Sequence, residues 1–357
     1  MDTNRYVSEV DVVVPALRFL GPRDRLDVFE SMPPMIVSRH RSGGVVFSVG
    51  LHQGSLARLG RGVSGMRQLR HSIGAQMSWL ADRHGVELFG LGATLPALTR
   101  YGQAVQPDRR PFSITTGHAG TVCLINRSLT RALHRADRPH PSIGVVGLGS
   151  IGGSVAEHLA ARGVCDVLVW DRHPGPIRRL MDRVGDGSPA RPAGSLSEVL
   201  GTCVATVSCV TGRLALEGRR PRGPGGGTRP TVIDDSQPAA LSPSAATRAG
   251  LDLEWVVGRD TSPQRPLERT NGYRYGTDGL ASPADVWGCE AEVAVLALSG
   301  HADAAVDGPI TQDDVSLVDD LFDRYQITLA PSQAFGSLTD RDAASRAGGQ
   351  RLRHVAR

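Results

Sequence analysis

Residues 142–171, SIGVVGLGSIGGSVAEHLAARGVCDVLVWD, give the clearest indication of the fold class. It begins with an apolar run, 143–147, that is typical of a buried strand, and it ends with a second one, Asp166–Trp170. Between them, apolar residues recur at every fourth position, as on one face of a helix, at Ile151, Val155 and Leu159. Gly163 then supplies the glycine at which helices commonly end. A strand, a helix and a second strand in this order predict a parallel α/β unit.

The turn between the first strand and the helix has the pattern G-x-G-x-x-G, formed by Gly147, Gly149 and Gly152. In a strand–turn–helix context this pattern is the fingerprint of a Rossmann-type dinucleotide-binding unit. The first glycine permits the tight turn, the second lets a pyrophosphate approach the backbone, and the third lets the helix pack against the strand. The helix start at Ser150 and Ile151 offers unpaired N–H groups to the phosphates. We therefore expect these five residues to bind a dinucleotide.

The residues that follow the second strand bear on the choice of cofactor. Asp171 stands where a carboxylate would accept hydrogen bonds from the adenosine ribose hydroxyls, and its charge repels a 2′-phosphate, which favours NADH. Arg172 is adjacent, and Arg178 and Arg179 follow within two turns; such cations would neutralise the 2′-phosphate of NADPH. These residues favour NADH and leave NADPH as the alternative.

Outside this unit the chain continues to alternate strands and helices. Segments 203–210 and 231–233 are further strand candidates, and helical patterns occupy 283–298 and 313–325. We therefore expect an α/β protein with a Rossmann-type doubly wound parallel sheet, plus an α/β substrate domain completed by C-terminal helices.

Breaks in the pattern divide the chain into four parts. The polar, proline-containing segment 135–142 is typical of a linker, and the Gly-rich basic segment 218–230 predicts a flexible loop. The N-terminal part combines apolar strands, at 10–14 and 44–49, with helical spacing over 56–84. We predict a substrate domain at residues 1–139 and a dinucleotide-binding domain at 140–282. A helical segment that carries the candidate nucleophile follows at 283–338, and a disordered tail at 339–357.

Composition excludes several other classes of protein. All 40 residues counted as lysine or arginine are arginines, so mechanisms that need a lysine, through a Schiff base or a Tyr-x-x-x-Lys pair, are excluded. The net charge of +4 is small for 357 residues, and no nucleic-acid-binding module is evident, so nucleic acid is not an expected partner. No apolar stretch approaches the about 18 residues of a membrane span, and no secretory signal is evident, so we expect a cytoplasmic location.

Five cysteines are present, an odd number without Cys-x-x-Cys spacing, so we expect neither a disulfide framework nor a metal site. Cys289 differs from the others because a small residue precedes it and two carboxylates follow it closely. Ser282 and Pro283 look like an N-cap and a first helical residue, which would place Cys289 nearly two turns into a helix. A helix that begins near Gly288 would instead place the thiol where the helix dipole lowers its pKa.

Six short segments, in order and with matching spacing, resemble the long-chain acyl-[acyl-carrier-protein] reductases of cyanobacteria and their bacterial relatives. The resemblance extends over about residues 29–336, which is most of the chain. The segments are ESMPPMIV (30–37) against S-x-P-P-x-I-V, LGAT (91–94) against L-G-G-F-T-S, TTGH (115–118) against T-T-G-N, the fingerprint from 147 against G-A-T-G-D-I-G, VIDDSQP (232–238) against L-I-D-G-G-Y-P, and GCEAE (288–292) against A-C-F-A-E.

The resemblance implies an activity and its nucleophile. In this family the cysteine of A-C-F-A-E is acylated, so an acyl group would pass from an acyl-carrier protein or coenzyme A to Cys289. Hydride from NADPH, which the family prefers, would then reduce the enzyme thioester to an aldehyde. Oxyanion donors would come from the turn that holds Thr116 and His118 or from backbone N–H groups near the cysteine. His118 either donates a proton or only caps its turn, and Glu292 either is catalytic or makes contacts on the helix surface.

Departures from the family pattern leave alternatives open. His118 replaces an asparagine, Asp171-Arg172 replaces Ala-Arg-Asn, and Glu290 replaces an aromatic residue beside the cysteine. These changes weaken the preference for NADPH and suggest a shorter or more polar acyl group. One alternative is a dehydrogenase that acts directly on an amino or hydroxy acid, with Cys289 structural. Another is a non-catalytic dinucleotide-binding protein.

Overall fold

A computed structural model describes nine ranges of the chain: 35–48, 63–92, 95–105, 112–136, 140–216, 229–236, 239–270, 280–334 and 337–338. Some features predicted from the sequence lie outside these residues, wholly or for the most part: the strand at 10–14, segment 29–34, positions 93–94 and 237–238, the basic loop 218–230 and the tail 339–357. Within the described ranges, no helix combines the length and the apolar character needed to cross a membrane.

The strands and α-helices alternate along much of the chain. The strands are β1 (Met35–Arg39), β2 (Val45–Ser48), β3 (Leu88–Gly90), β4 (Ser113–Thr115), β5 (Ser142–Val146), β6 (Asp166–Trp170), β7 (Ala190–Pro192), β8 (Ala205–Ser208), β9 (Thr231–Asp234), β10 (Asp252–Trp255), β11 (Val257–Asp260), β12 (Asp285–Trp287), β13 (Ile327–Leu329), β14 (Gln333–Ala334) and β15 (Ser337–Leu338). The helices are α1 (Val63–His84), α2 (Leu95–Leu98), α3 (His118–Arg135), α4 (Ser150–Arg162), α5 (Pro174–Val184), α6 (Leu196–Thr202), α7 (Pro243–Ala249), α8 (Gly288–Ser299) and α9 (Gln312–Arg324).

The largest sheet has six parallel strands in the order β7-β6-β5-β8-β9-β10. In sequence order this is 3-2-1-4-5-6, the doubly wound arrangement of dinucleotide-binding domains. The order reverses between β5 and β8, and ligands of such sheets bind in the crevice that this reversal opens at the carboxyl ends of the strands. The predicted α/β fold with a Rossmann-type parallel sheet is therefore confirmed.

The central strands of this sheet are buried on both faces. In β8 and β9 every residue is buried, and in β5 only Ser142 is not. Helices cover both faces, so the strands can be continuous apolar runs rather than alternating ones. Helix α4 ends at Gly163, which adopts a φ of 61° as its C-cap, as its position after the apolar pattern predicts.

The C-terminal segment differs from the sequence prediction at its start. The pattern over 283–298 predicts a helix from Pro283, but residues Asp285–Trp287 form β12 and the helix α8 begins only at Gly288. Strand β12 pairs antiparallel with β11, which pairs on its other side with β13. This pairing holds the residues before Gly288 extended, and it places Cys289 in the first turn of α8.

Helix α3 connects the N-terminal part of the chain to the parallel sheet and to the C-terminal helices. It packs against α8, α9 and α4, and its residues from Ala119 to Ile125 are all buried. Gly120 and Gly288 allow α3 and α8 to come close: a Cβ on Gly120 would overlap the carbonyl oxygen of Gly288, and a Cβ on Gly288 would lie 2.6 Å from Thr121 Cα. The first turns of α3 and α8 therefore meet at the carboxyl edge of the sheet.

Candidate active site

The glycines of the fingerprint are required by the backbone they form. Gly147 adopts a φ of 87°, and a Cβ there would lie 2.6 Å from the carbonyl oxygen of Cys209. A Cβ on Gly152 would overlap the carbonyl oxygen of Gly147, because α4 crosses directly over the turn. Only glycine satisfies both positions, as the roles predicted for the first and third glycines require.

The surface of this turn fits the pyrophosphate of a dinucleotide. Gly149 is exposed and no atom lies within 4 Å of where its Cβ would be, so a ligand can approach the backbone there. Gly149 is also the N-cap of α4 and provides no side-chain cap, so the first N–H groups of the helix, including those of Ser150 and Ile151, are available to an anion. These residues would hold the phosphates of NAD(P)H.

Asp171 lies at the edge of the same turn. Its Oδ2 accepts a hydrogen bond from Leu148 N–H at 2.8 Å and its Oδ1 accepts one from His173 N–H at 2.9 Å. These bonds fix the carboxylate where the adenosine ribose is expected. Arg172 is exposed and donates from Nε to His173 Nε2 at 3.1 Å rather than to Asp171. Asp171 and Arg172, which are predicted to determine the preference for NADH or NADPH, therefore both lie where the adenosine end of the cofactor is expected.

Cys289 lies against the turn that precedes α3. Gly117 adopts a φ of 71°, and a Cβ there would overlap Cys289 Cβ and lie 2.7 Å from Cys289 Cα. Because Gly117 is the N-cap of α3, the thiol-bearing first turn of α8 contacts the start of the helix that begins with His118. The TTGH and GCEAE segments therefore lie together in one site, although Gly117 and Gly288 are 171 residues apart in the chain.

His118 connects this turn to the dinucleotide fingerprint. Its Nδ1 lies 3.2 Å from Ser150 Oγ, on the first residue of α4. The ring is also in edge-on contact with Tyr101, with 5.8 Å between the ring centroids. Burial lowers the pKa of His118 to about 4, so the imidazole is neutral at neutral pH and is a weaker base than an exposed histidine. The structure thus brings Cys289, His118 and the cofactor-binding turn together.

The two threonines of the turn have different partners. Thr116 is buried, and its hydroxyl oxygen accepts a long hydrogen bond, 3.4 Å, from His118 N–H. The neighbouring Thr115 donates its hydroxyl to Glu292 and is therefore not free to bind an oxyanion. Of the two hydroxyls, that of Thr116 is the one that could serve as the predicted oxyanion donor.

Glu292 is fully buried, so the predicted alternative that it only makes contacts on the helix surface is wrong. Its Oε2 accepts a hydrogen bond from Gly120 N–H at 2.7 Å, and Gly117 N–H and the Thr115 hydroxyl also donate to the carboxylate. Burial raises the pKa of Glu292 above its usual range. The side chain supplies the cap that the first turn of α3 lacks, and it fixes α8 in register with α3.

Replacing Glu292 by alanine should destabilise the protein by about 2–4 kcal/mol, because the change leaves buried N–H groups unpaired and opens a cavity. Glu292→Gln should cost less, since the amide oxygen still accepts. Chemical denaturation of both variants measures the difference. Glu157→Ala, which breaks an exposed ion pair with Arg183, is the control and should change stability by less than about 1 kcal/mol. Equal losses for Glu292→Ala and Glu157→Ala would contradict the capping role.

Glu290 is part of a buried ion pair beside Cys289. Both of its carboxylate oxygens accept from Arg269 Nη2, at 2.9 and 2.6 Å, and His40 Nε2 lies 2.8 Å from Oε1. Burial alone would raise the pKa of Glu290, but the charge of Arg269 and the contact with His40 hold it well below its usual range. Within the described chain, Nε and Nη1 of Arg269 are buried without a hydrogen-bond partner.

The thiol of Cys289 is protonated at neutral pH despite its place in the first turn of α8. Burial, followed by the charges of Glu290, Asp235 and Glu292, raises its pKa to about 12. The favourable helix dipole expected for a helix beginning near Gly288 is thus outweighed. For Cys289 to act as a nucleophile, a base would have to remove this proton.

Three residues of this site lack a usable local signal in the sequence. His40 and Arg269 are 250 and 21 residues from Glu290 and follow no motif. Asp235 affects the charge around Cys289 although it follows β9 of the parallel sheet. Its only sequence signal is that it replaces a glycine in the L-I-D-G-G-Y-P pattern. Among the described residues, no cluster able to hold a metal ion is present.

The sheet order, the glycine turn and the uncapped helix define a Rossmann dinucleotide-binding domain. Comparison with protein families agrees: residues 142–218 match the NAD binding domain of 6-phosphogluconate dehydrogenase. The cofactor is therefore NAD(P)H, as the sequence predicts. No curated protein matches the chain.

The chain has only distant similarity to solved structures. L-tryptophan dehydrogenase from Nostoc punctiforme is 12% identical, with 79% of this chain and 69% of that chain aligned and a TM-score of 0.39. Quinate dehydrogenase from Corynebacterium glutamicum is 16% identical, with 68% and 74% aligned and a TM-score of 0.29. For dipicolinate synthase from Bacillus subtilis, identity is 17%, the TM-score is 0.32, and the alignment spans 48% of this chain and only 56% of that chain. Similarities this low identify neither a substrate nor an activity.

Proposed function

We propose that the protein is an NAD(P)H-dependent oxidoreductase that reduces an acyl thioester, bound to a carrier protein or to coenzyme A, to an aldehyde through a thioester on Cys289. The contact between Cys289 and Gly117, beside the His118–Ser150 pair, carries this proposal. It places a thiol, a neutral imidazole and the cofactor-binding turn in one site. Such a set of groups fits covalent catalysis followed by reduction.

His118 is assigned as the base for the first step. As the C–S bond between Cys289 and the substrate carbonyl forms, the S–H proton becomes far more acidic than in the free thiol, so the neutral imidazole, although a weak base, accepts it and returns it to the departing carrier thiolate. The C–S bond to the carrier breaks as the C–S bond to Cys289 forms, so this step consumes no net proton. Bound NAD(P)H supplies the hydride for the second step.

The oxyanion formed in each step needs hydrogen-bond donors. The first N–H groups of α8 around Cys289 are suitably placed, because the helix begins at Gly288 and its N-cap provides no side-chain cap. The Thr116 hydroxyl is the second candidate. These donors come from backbone and side chain close to the nucleophile, so they need little rearrangement.

The surroundings of Cys289 favour a short or polar acyl group over a long fatty chain. Glu290 and Arg269 form a charged pair on one side of the first turn, where the family has an aromatic residue. Arg269 Nε and Nη1 are buried and have no hydrogen-bond partner among the described residues, so the surroundings of this pair are strongly polar. A long alkyl chain would have to pack against this charged pair, which is unfavourable.

The direct test is intact-protein mass spectrometry after incubation with acyl thioesters of graded length and polarity, without reduced cofactor. The expected result is a mass increase that maps to Cys289 and is largest for short or polar acyl groups. Reaction with long chains alone would contradict the assignment of the acyl group. No adduct across the set would overturn the covalent route and favour a dehydrogenase that acts directly on an amino or hydroxy acid.

A further inference from the structure

One side-chain hydrogen bond joins the turn beside Cys289 to the cofactor-binding turn. His118 Nδ1, on the first residue of α3, lies 3.2 Å from Ser150 Oγ, on the first residue of α4. Within the ranges that the structure describes, the imidazole ring makes no other hydrogen bond. Either atom can be the donor, so the hydrogen of this bond decides which ring nitrogen of His118 has a free lone pair.

The ring of Tyr101 restricts the rotation of this imidazole. The two rings meet edge-on, with 5.8 Å between their centroids and 78° between their planes. Arg100 and Tyr101 adopt φ values of 50° and 60°, a left-handed conformation that is unfavourable for residues other than glycine. Such a conformation persists where the surrounding structure requires it, and here it places the tyrosine against His118. This contact keeps Nδ1 of the imidazole on the side of Ser150.

A neutral imidazole carries a single N–H, on either Nδ1 or Nε2. His118 is neutral at pH 7, because burial lowers its pKa to about 4. With the hydrogen on Nδ1, this nitrogen donates to Ser150 Oγ and Nε2 keeps a free lone pair. With the hydrogen on Nε2, the Ser150 hydroxyl donates to Nδ1 and neither nitrogen can accept a proton. The proposed function, on which this inference rests, assigns His118 as a base and therefore requires the first form.

The hydroxyl of Ser150 also lies where the phosphates of the cofactor are expected. Ser150 is half-buried and follows Gly149, the N-cap that leaves the first N–H groups of α4 available to an anion. The hydroxyl thus has two possible acceptors, the imidazole and a phosphate oxygen, but a single hydrogen to donate. A charged phosphate oxygen is the stronger acceptor of the two.

We infer that Ser150 is a positioning residue: once the cofactor is bound, its hydroxyl donates to a phosphate oxygen and its oxygen accepts from His118 Nδ1–H, which leaves Nε2 free to act as the base. The change moves one proton from Nε2 to Nδ1 by exchange with water, and the charge of the ring stays the same. Acylation of Cys289 is therefore faster when the cofactor is already bound. Without cofactor it is slower but not absent, because part of the protein already has its hydrogen on Nδ1.

The first test measures the tautomer of His118 by ¹⁵N NMR of the histidine ring nitrogens, with the His118→Asn variant used to assign the signals. Oxidised NAD⁺ and NADP⁺ are the probes, because they carry the phosphates but cannot donate a hydride. At saturation they should shift the wild type towards the form with hydrogen on Nδ1. Ser150→Ala, brought to the same saturation, should show no such shift. Ser150→Thr retains the hydroxyl and should restore it.

The second test measures the rate at which acyl-Cys289 forms, by intact-protein mass spectrometry with and without saturating NAD⁺ or NADP⁺. In the wild type the oxidised cofactor should raise this rate at least about twofold, by the inverse of the fraction that already has the required tautomer. The rate of Ser150→Ala should not respond. Ser154→Ala is the matched control, since Ser154 lies one turn further along α4 and its hydroxyl accepts from Gln312 Nε2 at 3.3 Å. It should respond as the wild type does.

The two tests distinguish the role of Ser150 from the proposed function. An unchanged tautomer in the wild type at saturation, or a tautomer shift that persists in Ser150→Ala, would overturn the role of Ser150 whether or not acyl-Cys289 forms. Equal acylation rates with and without oxidised cofactor would also contradict it. Failure of the wild type to form acyl-Cys289 with any thioester would overturn the proposed function. The NMR measurement would then still decide whether Ser150 links cofactor binding to His118.

Discussion

Replacing Cys289 by alanine should reduce aldehyde formation from acyl thioesters by about a thousandfold or more while leaving NAD(P)H binding unchanged. The loss is expected to be this large because the variant removes the nucleophile of a covalent route. Binding should persist because the residues assigned to the phosphates and the adenosine lie on the turn after β5 and at the end of β6, not on α8. Aldehyde release and cofactor fluorescence titration, measured on the same preparation, give the two quantities.

Cys165→Ala is the matched control for this variant. Cys165 is buried, with 4% of its surface exposed, and it precedes β6 at the amino edge of the sheet. The same change there should leave aldehyde formation within about twofold of the wild type, since the site at the opposite edge is unaffected. If Cys289→Ala retained turnover, the covalent route would be wrong and a dehydrogenase with a structural Cys289 would be the better description.

Replacing Gly149 by alanine should weaken NAD(P)H binding at least about tenfold, or 1.4 kcal/mol, without lowering the melting temperature. The added methyl group meets no protein atom within 4 Å, but it occupies the space through which a pyrophosphate reaches the backbone. Gly152→Ala should affect both cofactor binding and stability. Its methyl group overlaps the carbonyl oxygen of Gly147, so it should weaken binding and cost about 3 kcal/mol of stability.

Gly201→Ala separates these effects from those of any glycine substitution in the same domain. Gly201 lies within α6 and a Cβ there has nothing within 4 Å, so binding should be normal and stability unchanged or slightly higher. Fluorescence titration and thermal denaturation of the three variants give a complete comparison. Normal NAD(P)H binding by Gly149→Ala would show that the phosphates do not approach this turn.

The parallel sheet could be predicted because its signals are local. Residues 142–171 hold a strand, a glycine turn, a helix with its C-cap and a second strand, each recognisable from neighbouring residues. The choice of turn residues is dictated by contacts within the same unit, such as that between Gly152 and Gly147. Predictions of this kind succeed where the chain needs no distant partner to take its conformation.

The start of α8 could not be predicted, for the opposite reason. Ser282 and Pro283 have the residue types of a helix start, but Asp285–Trp287 pair with β11 instead. Asp285 also accepts a hydrogen bond from Arg259 Nε at 2.6 Å and one from Gln333 Nε2 at 2.9 Å. These partners are distant in the chain, and together they outweigh the local preference for a helix.

The candidate site was predictable in its motifs and not in its electrostatics. Cys289, His118 and the fingerprint are each visible in the sequence, and the structure brings them together. The partners that set the charge of the site are not visible, because His40, Arg269 and Asp235 reach it from separate elements. The raised pKa of the thiol follows from that arrangement, and no spacing in the sequence indicates it.

The raised pKa of Cys289 has a consequence for how the protein withstands oxidants. At pH 7 a thiol with a pKa of about 12 is almost entirely protonated. Peroxides react with the thiolate and hardly at all with the thiol, so Cys289 resists conversion to sulfenic and sulfinic acids while no substrate is present. The resting protein would then keep Cys289 reduced under oxidative conditions without a second cysteine to protect it.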